Sequence, residues 1–175
     1  MANQRVNSKF NESKTKEIEL MKIIKPPFSI SKNHKRDKLV FLAGSIEMGK
    51  AEDWQAAVGV YFSTMDAYTL LNPRRDDWDT RWEQKFEESN FNQQVSWELN
   101  GLDRADKIIL YLVPDTKSPI SLLELGLYAT SGKILVCCPD GFWRKGNVEI
   151  VCEKYGIPLY ENLEELLEKN FKHPT

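Results

Sequence analysis

A chain of 175 residues suits one compact domain better than two. Its 24 basic and 26 acidic residues leave a formal net charge of -2, which removes any electrostatic case for nucleic acid or an anionic membrane surface. No apolar run approaches the ~20 residues of a membrane span and the N-terminus lacks a signal-peptide core, so the expected location is cytoplasmic.

In chain order, residues 1–20 are polar without clear periodicity and read as an arm. The two prolines of "MKIIKPPFSI" forbid a long helix and make an extended lead-in. "SKNHKRDK" reads as a solvated basic loop. Short apolar runs then alternate with helical patterns. Strands are expected at 39–44, 67–73, 107–114, 133–139 and 156–160. Helices are expected at 51–65, at 83–105 (weakest near Asn90), at 120–132, in "NVEIVCEKY", and in "NLEELLEKNF" with Asn162 as N-cap.

Continuous apolar strands separated by helices imply a parallel sheet covered on both faces. The expected fold is α/β, a flavodoxin-like three-layer sandwich with a five-stranded parallel sheet in the order 2-1-3-4-5. Residues 1–37 form the arm and lead-in, and 38–175 a single α/β domain. Ligands of such sheets bind beyond the carboxyl ends of the strands. That rule selects the loops "AGSIEMGK", "NPRRDDWD", "PDTKSPIS" and "PDGFWRKGN".

The available chemistry is narrow. Cys137, Cys138 and Cys152 form no C-x-x-C pair and read as buried free thiols. His34 and His173 both lie near polar ends of the chain, which leaves a histidine-based metal site or triad without its parts. "AGSIEMGK" matches neither a phosphate-binding loop nor a dinucleotide fingerprint. No cofactor and no metal are expected, so an enzyme here must work mainly with carboxylates.

One carboxylate is out of place. "SPISLLELGLYA" holds Glu124 among leucines, in a helix where Ile120, Leu123 and Leu127 make an apolar stripe. Glu124 lies about 40° round the helix from Ile120, at the border of the face expected to be buried. Its position near the helix start should favour the charged form. The competing account is a glutamate that satisfies backbone donors or pairs with Arg74 or Lys117. A second carboxylate, Glu98 in "VSWELNGLDRAD", is alone a solvated helix face. Together the two could divide nucleophilic and proton-transfer work at a sugar carbon.

The segment from Glu98 to Ala129, with "FLAGSI" at 41–46, resembles the nucleoside 2-deoxyribosyltransferase family, whose members carry a strand, a Pro-Asp loop and an "ELG-A" helix. The similarity spans most of residues 38–160, and "DWQ" at 53–55 and "NPRR" at 72–75 resemble a divergent subgroup. By this resemblance Glu124 is the nucleophile, Glu98 replaces the family's acid/base aspartate, and the Pro-Asp pair falls on Pro114 and Asp115. Two departures stand out. Ser118 occupies the place of an aspartate that holds the deoxyribose 5′-hydroxyl. Relatives that hydrolyse nucleoside 5′-monophosphates carry serine there, although a plain helix cap also explains it. The first strand offers Phe41 or Val40 where the family often has a tyrosine, which leaves Tyr128 as a candidate to orient Glu124.

Around the mouth, Gly44 and Ser45 would let the backbone approach a ligand, and Asn72 and Arg74 would meet a base or phosphate. Asn147, near a helix start, corresponds by resemblance to a sugar-contacting asparagine, with N-capping as the competing account. Trp54, Trp97 and Trp143 could stack a base or simply pack. The resemblance implies a pentosyltransferase that cleaves the N-glycosidic bond of 2′-deoxynucleosides through a deoxyribosyl-glutamate and passes the sugar to another base. The alternatives are a nucleoside 5′-monophosphate N-glycohydrolase, a non-catalytic nucleotide-binding module and a purely structural domain. Expected partners are a small nucleoside or nucleotide and, by resemblance, further copies of the chain in a homo-oligomer.

Overall fold

A computed structural model describes residues 23–30, 38–47 and 51–172. The polar arm, most of the basic loop with His34, the end of "AGSIEMGK" from Met48 and the terminal His173 lie outside the described residues.

Among the described residues, six strands form one all-parallel sheet: β1 (Ile23–Ile24), β2 (Lys38–Gly44), β3 (Tyr68–Leu71), β4 (Lys107–Tyr111), β5 (Ile134–Cys137) and β6 (Leu159–Tyr160). Their order is β1-β3-β2-β4-β5-β6. Without β1 this is the expected 2-1-3-4-5 winding. β1 comes from the lead-in, where Ile23 and Ile24 pair with Leu70 and Leu71. Two residues are too few to carry a period-2 signal, and an edge position tolerates the prolines that follow. Ile24 and Ile30 are both buried in the core.

Among the described residues, five helices cover the sheet: α1 (Trp54–Phe62), α2 (Ser89–Arg104), α3 (Pro119–Tyr128), α4 (Lys145–Tyr155) and α5 (Leu163–Asn170). Alternation along the strands divides the core. Val40, Leu42, Leu70, Ile109, Leu135 and Cys137 pack with Trp54, Val58 and Phe62 of α1 and Leu166 and Leu167 of α5. Phe41, Ala43, Leu71, Ile108, Leu110 and Val136 pack on the other side with α2, α3 and α4. The result is a three-layer sandwich. No described helix is long and apolar enough to cross a membrane. The three cysteines are buried free thiols, and burial pushes them up to about 12, 12 and 11, so they stay protonated.

Two helices differ from expectation. α2 starts at Ser89, because the Glu88 side chain accepts from Asn90 N and caps it there; residues 83–88 are irregular, with bends and one turn. On α3, Ile120, Leu123 and Leu127 face solvent at 60, 57 and 56% exposure, and the buried face carries Ser121, Glu124 and Leu125. A helix that is apolar all round gives no period to say which side is inner. α2, in turn, sits close on the sheet because Gly101 has no side chain. A Cβ there would lie 2.7 Å from the Phe41 ring.

Candidate active site

The sheet brings α2 and α3 together on one face, and with them Glu98 and Glu124. α2 buries Gln94, Trp97, Gly101 and Leu102, with Glu98 half-buried beside them. Its first half lies over the carboxyl ends of the strands, since Gln94 Nε2 donates at 2.9 Å to the carbonyl of Pro73, just beyond β3. The same nitrogen donates at 2.8 Å to Glu98 Oε1. Glu124, on the buried face of α3, is only 8% exposed.

The two carboxyls feel each other. Burial and then the charge of Glu98 push Glu124 from 4.5 up to about 8. Burial also raises Glu98, while the Gln94 hydrogen bond pulls it back down. Glu124 has no such help: among the described residues, no hydrogen bond or ion pair engages its carboxyl group. Both carboxyls are thus pushed toward their protonated forms, and for Glu124 no hydrogen bond offsets the push.

That direction reverses the expectation that local dipoles hold Glu124 ionised. Glu124 sits in the second turn of α3, past the reach of the free N–H groups of the first turn. The donors just ahead of the helix are already occupied, because Glu47 Oε1 accepts from Lys117 N at 3.0 Å and Ser118 N at 2.8 Å. An ion pair with Arg74 is not formed either. The Arg74 guanidinium donates to Gln55 Oε1 and Glu52 O and lies 3.4 Å from Asp53. Tyr128 is likewise committed elsewhere, its hydroxyl donating to Asp103 at 2.6 Å.

A hydroxyl knot ties the loops beside the pair. Ser45, 1% exposed, accepts from Val113 N at 2.9 Å and lies 2.8 Å from Thr116 Oγ1 and 2.6 Å from Ser118 Oγ. Ser118 holds the N-cap position of α3 with a left-handed φ of 44°, but its side chain makes no cap bond and joins the knot instead. Gly44 is required by the protein itself. A Cβ there would lie 2.2 Å from Tyr111 O of β4, so the close approach is between strands rather than toward a ligand.

The remaining candidates scatter. Asn72 is buried, its Oδ1 accepting from Arg74 N at 2.9 Å. Asp115 is exposed in a left-handed turn, with its N donating to Gly141 O. Asn147 is exposed on α4, away from the N-cap, which is Arg144. It lines an apolar groove of about 340 Å³ between α3 and α4 with Leu122, Leu125, Trp143 and Val151. Trp54 and Trp97 are buried, their indoles donating to Ser45 O and Phe28 O. Trp143 is half exposed, with its indole on Lys117 O.

Sequence reasoning missed three residues: Gln94, Glu47 and Thr116. Gln94 was open to detection, lying one helical turn before Glu98 on the same face. Nothing local marks Glu47, whose partners lie 70 and 71 residues away. Thr116 was hidden by its resemblance to any polar loop residue.

A buried pair of coupled carboxyls at the strand ends of a doubly wound sheet can supply one attacking oxygen and one proton-transfer group. No curated protein matches the chain. A family model described as nucleoside 2-deoxyribosyltransferase like matches residues 37–142, a span that contains Glu47, Gln94, Glu98, Ser118 and Glu124 but ends before Asn147. With that match over more than half of its length, the chain belongs to the nucleoside 2-deoxyribosyltransferase-like family.

Proposed function

We propose that the chain is a pentosyltransferase that cleaves the N-glycosidic bond of a 2′-deoxynucleoside and transfers the sugar to another base. The observation that carries this is the buried, coupled pair Glu98 and Glu124, with no cation recorded at either carboxyl among the described residues. In the first half, a carboxylate oxygen of Glu124 forms a bond to C1′. The C1′–N bond breaks, its electrons pass to the base nitrogen, and Glu98 gives that nitrogen a proton. In the second half, an incoming base loses a proton to Glu98 and attacks C1′, which returns Glu124 as a carboxylate. The scheme draws on no metal or organic cofactor.

Burial and the charge of Glu98 favour the neutral form of Glu124, whereas the first step needs its carboxylate. Substrate binding must therefore favour the form with Glu98 protonated and Glu124 ionised. An approaching sugar with developing positive charge does this, because it stabilises the Glu124 anion that water no longer reaches.

Glu47 argues for a nucleoside rather than a 5′-monophosphate. The N–H groups of Lys117 and Ser118, which would have to receive a phosphate, already hold a carboxylate. A phosphate would meet that negative charge or have to displace it. The exposed stripe of Ile120, Leu123 and Leu127 supports the homo-oligomer that the family implies, since monomers seldom leave such a row to water.

The test offers the protein a deoxynucleoside with a free acceptor base, and separately a deoxynucleoside 5′-monophosphate, and follows bases by chromatography. Base exchange is expected in the first arm. Phosphate-dependent release without exchange would replace the transferase with a glycohydrolase, and no release from either would end both. Intact mass spectrometry with a slowly turned-over deoxynucleoside analogue should show a sugar adduct on Glu124.

A further inference from the structure

Glu98 is gripped from one side only. Gln94 is 5% exposed, and its single nitrogen serves two acceptors, Pro73 O and Glu98 Oε1. The Pro73 carbonyl can never donate, so the carboxamide is locked with its NH2 toward both. Turning it over would point oxygen at oxygen and lose both bonds. The lock leaves a mark: Gln94 Oε1 is buried without a partner. Native interiors rarely keep such an atom unless the arrangement serves something else.

We propose that Gln94 is a positioning residue for the carboxyl pair, holding Glu98 Oε1 as a permanent acceptor so that the exchangeable proton of Glu98 can reside only on Oε2. This rests on Glu98 being the proton-transfer group of the reaction described above. The grip does two things. It selects one oxygen for the exchange with the departing base, which fixes the direction of proton transfer. It also favours ionised Glu98 in the free protein, which leaves the shared proton on Glu124, the partner without a donor.

The surrounding charges do not supply this bias. On the α3 side stand Tyr128 and, on α2, Asp103, bound to each other. On the β3 side, Arg74 is held by Gln55 and Asp53, and Arg75 by Asp77 and Gln93. In the loops leading to α1 and α3, Glu47 lies on the backbone of Lys117 and Ser118, and Asp115 is exposed. Among the described residues, Gln94 alone donates to either member of the pair.

The experiment uses the full chain labelled with carbon-13 at the glutamate carboxyls, titrated by NMR, with Glu98→Gln and Glu124→Gln to assign the two signals. Wild type should show Glu124 as the later carboxyl to lose its proton. In Gln94→Met, which keeps the length but cannot donate, the proton should move toward Glu98 by at least about tenfold in the sharing ratio. An unchanged order in a folded Gln94→Met protein overturns the proposal. A second readout needs no variant at position 94. The Gln94 side-chain NH2 resonances of wild type should shift with the Glu98 titration, and resonances constant through it overturn the proposal as well. Where base release is also measured, Gln94→Met should displace the acidic limb of kcat/KM. Absence of any base release from wild type would instead count against the transferase function, leaving the titration to judge Gln94.

Discussion

Two polar clusters lie buried at the same end of the sheet, and they are built on opposite plans. In the knot of Ser45, Thr116, Ser118 and Glu47, every described hydroxyl and the Glu47 carboxylate have partners within hydrogen-bond distance. In the Glu98–Glu124 pair, one carboxyl has a single side-chain donor and the other has none among the described residues. A satisfied network rigidifies, whereas an unsatisfied one stores free energy that a ligand can release. By this contrast we propose that the knot holds the loops and the pair carries the chemistry.

If that contrast is correct, substitutions in the pair should remove activity and leave the fold intact, while substitutions in the knot should do the reverse. The largest effect is expected for Glu124→Gln, with base release lower by about 10⁴-fold or more in a chromatographic assay. A variant retaining near wild-type turnover would break the comparison at its strongest point. Glu98→Gln should lower kcat by about 10²–10⁴-fold, and the loss should shrink for substrates whose base leaves easily without a proton. In wild type, kcat/KM should fall as the pH rises past about 8, where the pair loses its shared proton.

The next effect is on stability and has a defined sign. The Glu124 carboxyl binds its proton more tightly folded than unfolded, at about 8 against 4.5. Its contribution is therefore fully present below the unfolded value and lost as pH rises through about 8. Between about pH 6 and pH 9 the wild-type melting temperature should drop by roughly 5 °C relative to Glu124→Gln, which cannot ionise. Parallel curves for the two proteins would contradict it. Ser45→Ala should cost about 1–3 kcal/mol in urea unfolding, because Val113 N is left buried without an acceptor, while base preference stays as in wild type. The smallest change is expected for Leu123→Lys. Its effect on the fold should lie within about 0.5 kcal/mol, since the side chain is already exposed, but sedimentation should show loss of the proposed homo-oligomer.

Much of the architecture was readable in advance because it is coded locally. Runs such as "LVFLAG" and "KIILY" are apolar throughout, and a strand of that kind must be covered on both faces. Asn162 announced the final helix and does cap it, accepting from Glu165 N. β1 escaped because two isoleucines before a Pro-Pro pair carry no period. The site was readable by residue type but not by state. Glu124 and Glu98 stand out by type, yet the dipole argument for Glu124 fails because burial and the charge of Glu98 outweigh any help from the helix start. Gly44 and Arg74 are expected to meet a ligand and Tyr128 to orient Glu124, and the structure shows each held in other protein contacts.

By itself, the sequence determined the winding of the sheet and the presence of two carboxylates at its strand ends. Both follow from which side chains water rejects, and that is decided within a few neighbouring residues. The tertiary structure alone decided which face of α3 turns inward, which carboxyl of the pair has a donor and what sits on the backbone of Ser118. Those outcomes depend on desolvation and on partners as far apart as Glu47 and Ser118, and no local pattern encodes such meetings.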